Sequence, residues 1–141
     1  MFKKILKKEK EENSDNKKIL IAALLIHASK IDENYTDIEK KIIKKALINL
    51  NNISSDQTEE LMEHAEKKEE ESNQMIEFTR EIKKYPMEFR LKIIEIVWKI
   101  VYSDGTSDSY EFNLIRRICG LLYISDKDNG IIRTKVQNLE K

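Results

Sequence analysis

The chain has 141 residues, 40% of them hydrophobic and 37% charged, which suits one domain with a single core and a thickly ionic surface. Its 26 basic and 26 acidic residues cancel, so the domain as a whole lacks the basic footprint of a nucleic-acid binder. One Pro and three Gly leave few breaks in regular structure, and one cysteine excludes an internal disulfide.

The opening "MFKKILKKEKEEN" starts basic and turns acidic instead of apolar, which is not the pattern of an export signal. Phe2, Ile5 and Leu6 fall on one side of a short helix over 2–10, with lysines around them. Two roles are open for it: docking on the domain body, or weak contact with a membrane surface. We take 1–14 as an N-terminal segment and 15–141 as the domain proper. A second helix is expected from about Asp15 to Lys30. Its middle, "ILIAALLIHA" (19–28), is apolar all round, which marks a central buried helix, but it is shorter than the about 20 residues that a bilayer span needs. A cytoplasmic location is the expectation. His27 interrupts the stripe and is expected as a hydrogen-bonded interior or edge residue, because no His or Cys stands at helical spacing from it.

Thr36 and Glu39 form a capping box that opens a helix to about Leu50, with Ile38, Ile42, Ile43, Ala46, Leu47 and Leu50 as its inner stripe. Ser54 and Gln57 form another, opening an acidic helix over about 55–72 that turns Leu61, Met62 and Ala65 inward. The run "EKKEEES" and His64 read as a solvated face. The acidic helix around 59–71 and the lysine-rich one around 40–45 are complementary, within one chain or between two. "NQMIEFTREIKKY" predicts a further helix with Met75, Ile76, Phe78, Thr79, Ile82 and Tyr85 on one side, and Pro86 ends it. After Pro86 a long helix runs to about Ser103, burying Ile93, Ile94, Ile96, Val97, Trp98, Ile100 and Val101. Asp108 with Glu111 repeats the capping box for a helix to about Leu122, and Ser125 caps the last one, 126–138. Cys119 reads as a small buried hydrophobe. No strand is expected; the fold class is an all-α bundle of about seven to eight helices.

Two stretches are alike: "LLIHASKIDENYTDIEKKIIKKALINLNNIS" and "IVWKIVYSDGTSDSYEFNLIRRICGLLYIS". In each, a greasy helix is followed by a short acidic turn, an amphipathic helix and an apolar-Ser start to a third. Asp32 matches Asp104, Thr36 matches Asp108, Glu39 matches Glu111, and late in the repeat Ile53-Ser54 meets Ile124-Ser125. Two such units packed about an approximate two-fold would bury both apolar helices together.

Capping alone accounts for Thr36, Glu39, Asp108 and Glu111. Asp32 and Asp104 differ, since each stands at the end of a greasy helix, where a carboxylate opposes the helix dipole. Either they close the turn through loop amides, or they point at a hard cation such as calcium or magnesium. Asp104, Asp108 and Glu111 lie within one short turn and can converge. The segment is not an EF-hand, whose loop is longer and carries Gly at its sixth position, whereas Gly105 directly follows Asp104. The first turn has Glu33 in place of that Gly and Thr36 in place of Asp108.

The doubled pattern, above all "VWKIVYSDGTSDSYEFNLIRRICGLLYIS", resembles the TerB-like domains, and the resemblance covers roughly 18–136. That family includes the tellurite-resistance protein and the N-terminal domain of a membrane-anchored DnaJ-type co-chaperone. The resemblance implies a small all-α bacterial cytoplasmic domain with two related halves. It also implies a divalent-cation site at the acidic turns, carried onto Asp104, Asp108 and Glu111, then Asp32 and Glu39. Two functions follow as expectations: a non-enzymatic interaction module with a protein partner or a second copy of itself as a homodimer, or a membrane-surface, co-chaperone-type adaptor working through its N-terminal segment. No nucleophile–base pair, Gly-rich phosphate loop or zinc signature supports an enzyme.

Overall fold

A computed structural model describes residues 2–30, 35–72, 74–103 and 109–139, and within them the side chains of 16–30, 35–72, 74–103 and 112–139. The described residues form seven helices and no strand: α1 (Phe2–Ser29), α2 (Asp37–Asn51), α3 (Ser55–Glu71), α4 (Met75–Ile82), α5 (Met87–Tyr102), α6 (Ser109–Leu121) and α7 (Asp126–Leu139).

The N-terminal part departs from expectation. A short helix and a separate second one were expected; instead α1 is continuous from Phe2 to Ser29, so the boundary drawn after residue 14 falls inside a helix. "NSDN" (13–16) has the composition of a helix start, but each of its residues costs only about 0.7 kcal/mol or less relative to Ala in a helix interior. With no Gly or Pro nearby and Glu and Lys on both sides, the helix runs through it.

Two of the three expected capping boxes form as read, and the third, Asp108 with Glu111, lies outside the described residues. Thr36 Oγ1 accepts from the Glu39 amide at 3.1 Å while Glu39 Oε1 accepts from the Thr36 amide at 3.1 Å. Ser54 and Gln57 exchange the same pair of bonds, at 3.1 and 2.9 Å. Ser125 Oγ accepts from the Asp128 amide at 3.1 Å and so opens α7.

One core runs through the molecule. Leu20 to Ile26 are all buried, which makes α1 the central helix, and the apolar residues of α5 join the same cluster, so Leu25 and Trp98 share one interior. α3 and α4 pack on α1, α2 lies against α1, α3 and α5, and α6 and α7 lie against α5.

The duplication is visible in the backbone. Asn52 and Tyr123 are the described non-glycine residues with positive φ, at 52° and 57°. Each immediately precedes the matched Ile-Ser pair, Ile53-Ser54 in one half and Ile124-Ser125 in the other. After α6 the amide of Ile124 bonds the Cys119 carbonyl at 2.8 Å and that of Tyr123 bonds Gly120 at 3.3 Å, a Schellman closure. In both halves the turn sends the chain back along the first helix: α3 packs on α1 and α7 on α5.

Two expected inward residues point out. Ile38 is 62% exposed and Ile76 is 57% exposed. On α2 the buried row is Glu39, Ile43 and Leu47, so the row one place earlier (Ile38, Ile42, Ala46, Leu50) runs beside the core rather than into it. On α4 the buried positions are Met75, Phe78, Thr79 and Ile82, one full period of a helical face that Ile76 lies outside.

Candidate functional site at the interhelical corners

Of the five candidate ligands, Glu39 and Glu111 lie in the first turns of α2 and α6. Asp32, Asp104 and Asp108 lie outside the described residues. The backbone of Glu111 is in the first turn of α6, and its side chain lies outside them. Glu39 is described. It is buried, and its Oε1 accepts from both the amide and the hydroxyl of Thr36, at 3.1 and 3.0 Å. That oxygen is engaged in holding the start of α2. Among the described residues no group of three His, Cys, Asp or Glu side chains converges for a cation.

The stems from which the turns depart are well defined. At the first corner the end of α1 is tied to the end of α3. Lys30 Nζ donates to Glu69 Oε2 at 2.7 Å, and His27 Nδ1 lies 3.2 Å from Glu69 Oε1. The Glu69 side chain is only 7% exposed, so a carboxylate expected on a solvated face is enclosed by the two groups that partner it. Three positions earlier on α3, Glu66 Oε1 accepts from the Tyr35 hydroxyl at 3.0 Å. The Tyr35 ring sits beneath two ammonium groups, Lys40 at 4.7 Å and Lys30 at 5.7 Å from its centroid. Burial, then the neighbouring Glu66 carboxylate, hold the Tyr35 hydroxyl far above the usual phenol range. His27 is a hydrogen-bonded edge histidine, as expected, with the Glu69 carboxylate as its partner, and it also lies 6.0 Å from the Phe78 ring.

The second corner performs the same tie with other chemistry. Trp98 Nε1 donates to Asn129 Oδ1 at 2.8 Å, and Arg133 Nε donates to the Tyr102 hydroxyl at 3.0 Å. The guanidinium lies 4.4 Å from the Phe112 centroid and 5.4 Å from that of Trp98. Trp98 stacks on Tyr102 with centroids 5.6 Å apart. By the register of the repeat, Tyr102 stands where Lys30 stands. In one half a cation on the first helix meets a carboxylate on the third; in the other a phenol meets a guanidinium. Each pair fixes the last turn of its greasy helix directly before the acidic segment leaves it.

Neither tie was read from the sequence. The available signal for the first was that Glu66 and Glu69 share a face with Met62 and Ala65, three or four residues on. For the second it was Trp98 and Tyr102 one turn apart on α5, with Asn129 and Arg133 equally spaced on α7, which runs alongside it in the same direction.

Cys119 is buried, and burial, with Asp126 adding to it, pushes its thiol up to about 12, which leaves almost no thiolate at neutral pH. His64 is exposed on α3. No helix among the described residues is long and apolar enough to cross a membrane. Lys44 Nζ meets Glu59 Oε1 at 2.7 Å, so the lysine-rich α2 and acidic α3 pair within one chain.

Compared with known proteins, the chain is matched over residues 18–134 by the family model described as tellurite resistance protein TerB, a span that takes in both turns and both ties. No curated protein and no solved structure matches it.

Proposed function

Since the chain belongs to the tellurite resistance protein TerB family, we propose that it is a non-enzymatic binding module whose second acidic turn, Asp104 to Glu111, holds a hard divalent cation, calcium or magnesium. The observation that carries the reading is that the family match spans the whole duplicated unit, including the turns. Two further features support it. Each turn follows a helix whose last residues are clamped to the third helix of the same half, which fixes the point from which its carboxylates start. The helix C-terminus preceding each turn also contributes partial negative charge.

The two turns are not equivalent in this proposal. In the first, Glu39 Oε1 serves the Thr36 cap, Glu33 stands in place of Gly105, and Thr36 in place of Asp108. The second offers Asp104, Asp108 and Glu111 in eight residues, and it is assigned the ion. Such a site supplies three carboxylates and leaves further positions for backbone carbonyls and water. A role in the response to metal or tellurite stress belongs to the same proposal.

The test is thermal denaturation of chelator-cleared protein. Calcium or magnesium at 100 times its dissociation constant stabilises the fold by about 2.7 kcal/mol, and Asp104→Asn removes the gain. Equal melting curves with and without either ion at millimolar concentration refute the cation part.

A further inference from the structure

Ile42, Ala46 and Leu50 of α2 and Ile96 of α5 form the floor of an open groove of about 370 Å³ between those helices. Its rims carry Lys45 and Asn49 on one side, and Lys92, Glu95 and Lys99 on the other. Glu95 is not available to its neighbouring lysines alone, because its Oε1 pairs with Lys135 of α7 at 3.0 Å. Lys45, Lys92 and Lys99 take part in no ion pair among the described residues. The groove is therefore apolar at its floor and positive at its edge. Ile38, 62% exposed, extends the floor row by one more turn toward the start of α2.

The duplication says what shape fits such a groove. Register pairs Ile42, Ala46 and Leu50 with Leu114, Ile118 and Leu122. The second row is buried, at 5%, 0% and 0% exposed, whereas the first is only partly covered. Exchange of the halves takes the pair α2 and α5 to the pair α6 and α1, and α4 packs against both of those helices. α4 is short and amphipathic, with Met75, Phe78, Thr79 and Ile82 buried at helical spacing. Nothing described in this chain plays that part over α2 and α5.

We infer that the α2–α5 groove is a docking site for an acidic amphipathic helix of a partner protein, laid along Ile42, Ala46 and Leu50 with its carboxylates on Lys45, Lys92 and Lys99. The row from 42 to 50 is about 12 Å long at 1.5 Å per residue, two turns of a bound helix, with anchors at i, i+3 or i+4 and i+7. A second copy is a poorer fit. Its acidic helix α3 has the charge, but its apolar face (Leu61, Met62, Ala65) is spent in its own core. The inference rests on the reading of the chain as a binding module and is independent of the cation.

The experiment uses the full chain, labelled for amide-resolved NMR, in chelator, so that it stands apart from any failure of the cation reading. The probe is a short synthetic helix with leucine at i, i+3, i+4 and i+7 and glutamate at the flanking positions. Shifts confined to 38–50 and 92–99, weakened by salt and by at least about tenfold in a Lys45→Glu/Lys92→Glu variant, are expected. A second variant, Ile42→Ser, weakens binding while leaving the salt dependence, and both variants melt within a few degrees of the parent. Absence of shifts at millimolar probe, shifts elsewhere, or equal binding of the same helix with lysine in place of glutamate overturns the inference. So does charge-dependent binding of phosphatidylglycerol vesicles with no binding of the helix, which would make the face a membrane contact.

Discussion

Lys30 Nζ and Glu69 Oε2 lie 2.7 Å apart across the first corner, joining the last residue before one acidic turn to a buried carboxylate thirty-nine positions later. Glu69 also receives His27, so three charged or titratable groups from α1 and α3 share one enclosed point. A carboxylate that deep is tolerable only with both partners in place.

Glu69→Ala is therefore expected to cost about 2–3 kcal/mol, more than an exposed glutamate on the same helix such as Glu63, whose loss stays within about 0.5 kcal/mol. Denaturant unfolding of the two variants decides this. Equal costs would place Glu69 on the solvated face that the sequence suggested. Lys30→Met should cost at least as much as Glu69→Ala, because it leaves a 7%-exposed carboxylate with His27 as its remaining partner, whereas loss of Glu69 leaves a lysine that is 32% exposed and that water can reach.

Tyr35 sets an alkaline limit on stability. Its hydroxyl is held protonated in the folded state well above the ordinary value of 10.0, while the unfolded chain ionises near that value. Its contribution is therefore complete below about pH 10 and is lost progressively as pH rises beyond it. Stability measured from pH 8 to 11 should fall more steeply for the parent than for Tyr35→Phe. At pH 8 the same variant loses about 1 kcal/mol with the Glu66 hydrogen bond. Parallel curves would mean the hydroxyl is solvated.

How much of this was legible in the sequence depends on the range of the interaction. Capping boxes at Thr36–Glu39 and Ser54–Gln57 act over three residues and formed as read. The residues expected to be buried on α5 are the ones that are, because a helix apolar on most sides leaves little choice of face. The expected stripe of α2 is one row wider than the buried one: Ile38 and Ile42 are as apolar as Ile43, and only the packing of α2 on its neighbours decides which row enters the core. Glu66 and Glu69 were assigned to water for the same reason; their partners, Tyr35, Lys30 and His27, are distant in sequence. Two helices are expected on either side of residues 11–14, yet α1 runs through them, because a break needs more than weak propensity.

The two rows on α2 can be told apart by truncation. Ile43 and its repeat counterpart Ile115 are fully buried, and alanine at either should cost about 2–5 kcal/mol. Alanine at Ile38 should change stability by less than about 0.5 kcal/mol. A costly Ile38→Ala would show that its row lies in the core.

Tyr123 occupies the left-handed region at φ 57°, where a side chain with a Cβ is unfavourable by about 1–2 kcal/mol. Tyr123→Gly should accordingly be more stable than Tyr123→Ala by about 1 kcal/mol, both variants having lost the same contact with Lys83. If alanine proves as good as glycine, the Schellman closure at the end of α6 is not the native one.

The most direct test of the central proposal is amide-resolved NMR of chelator-cleared protein during titration with calcium and then magnesium. The proposal predicts saturable shifts concentrated in 103–112, with lesser change around 31–37, and their loss in Asp104→Asn. Unchanged spectra at millimolar ion, or small shifts scattered over the acidic face of α3, would contradict it and leave the acidic turns as helix connections only.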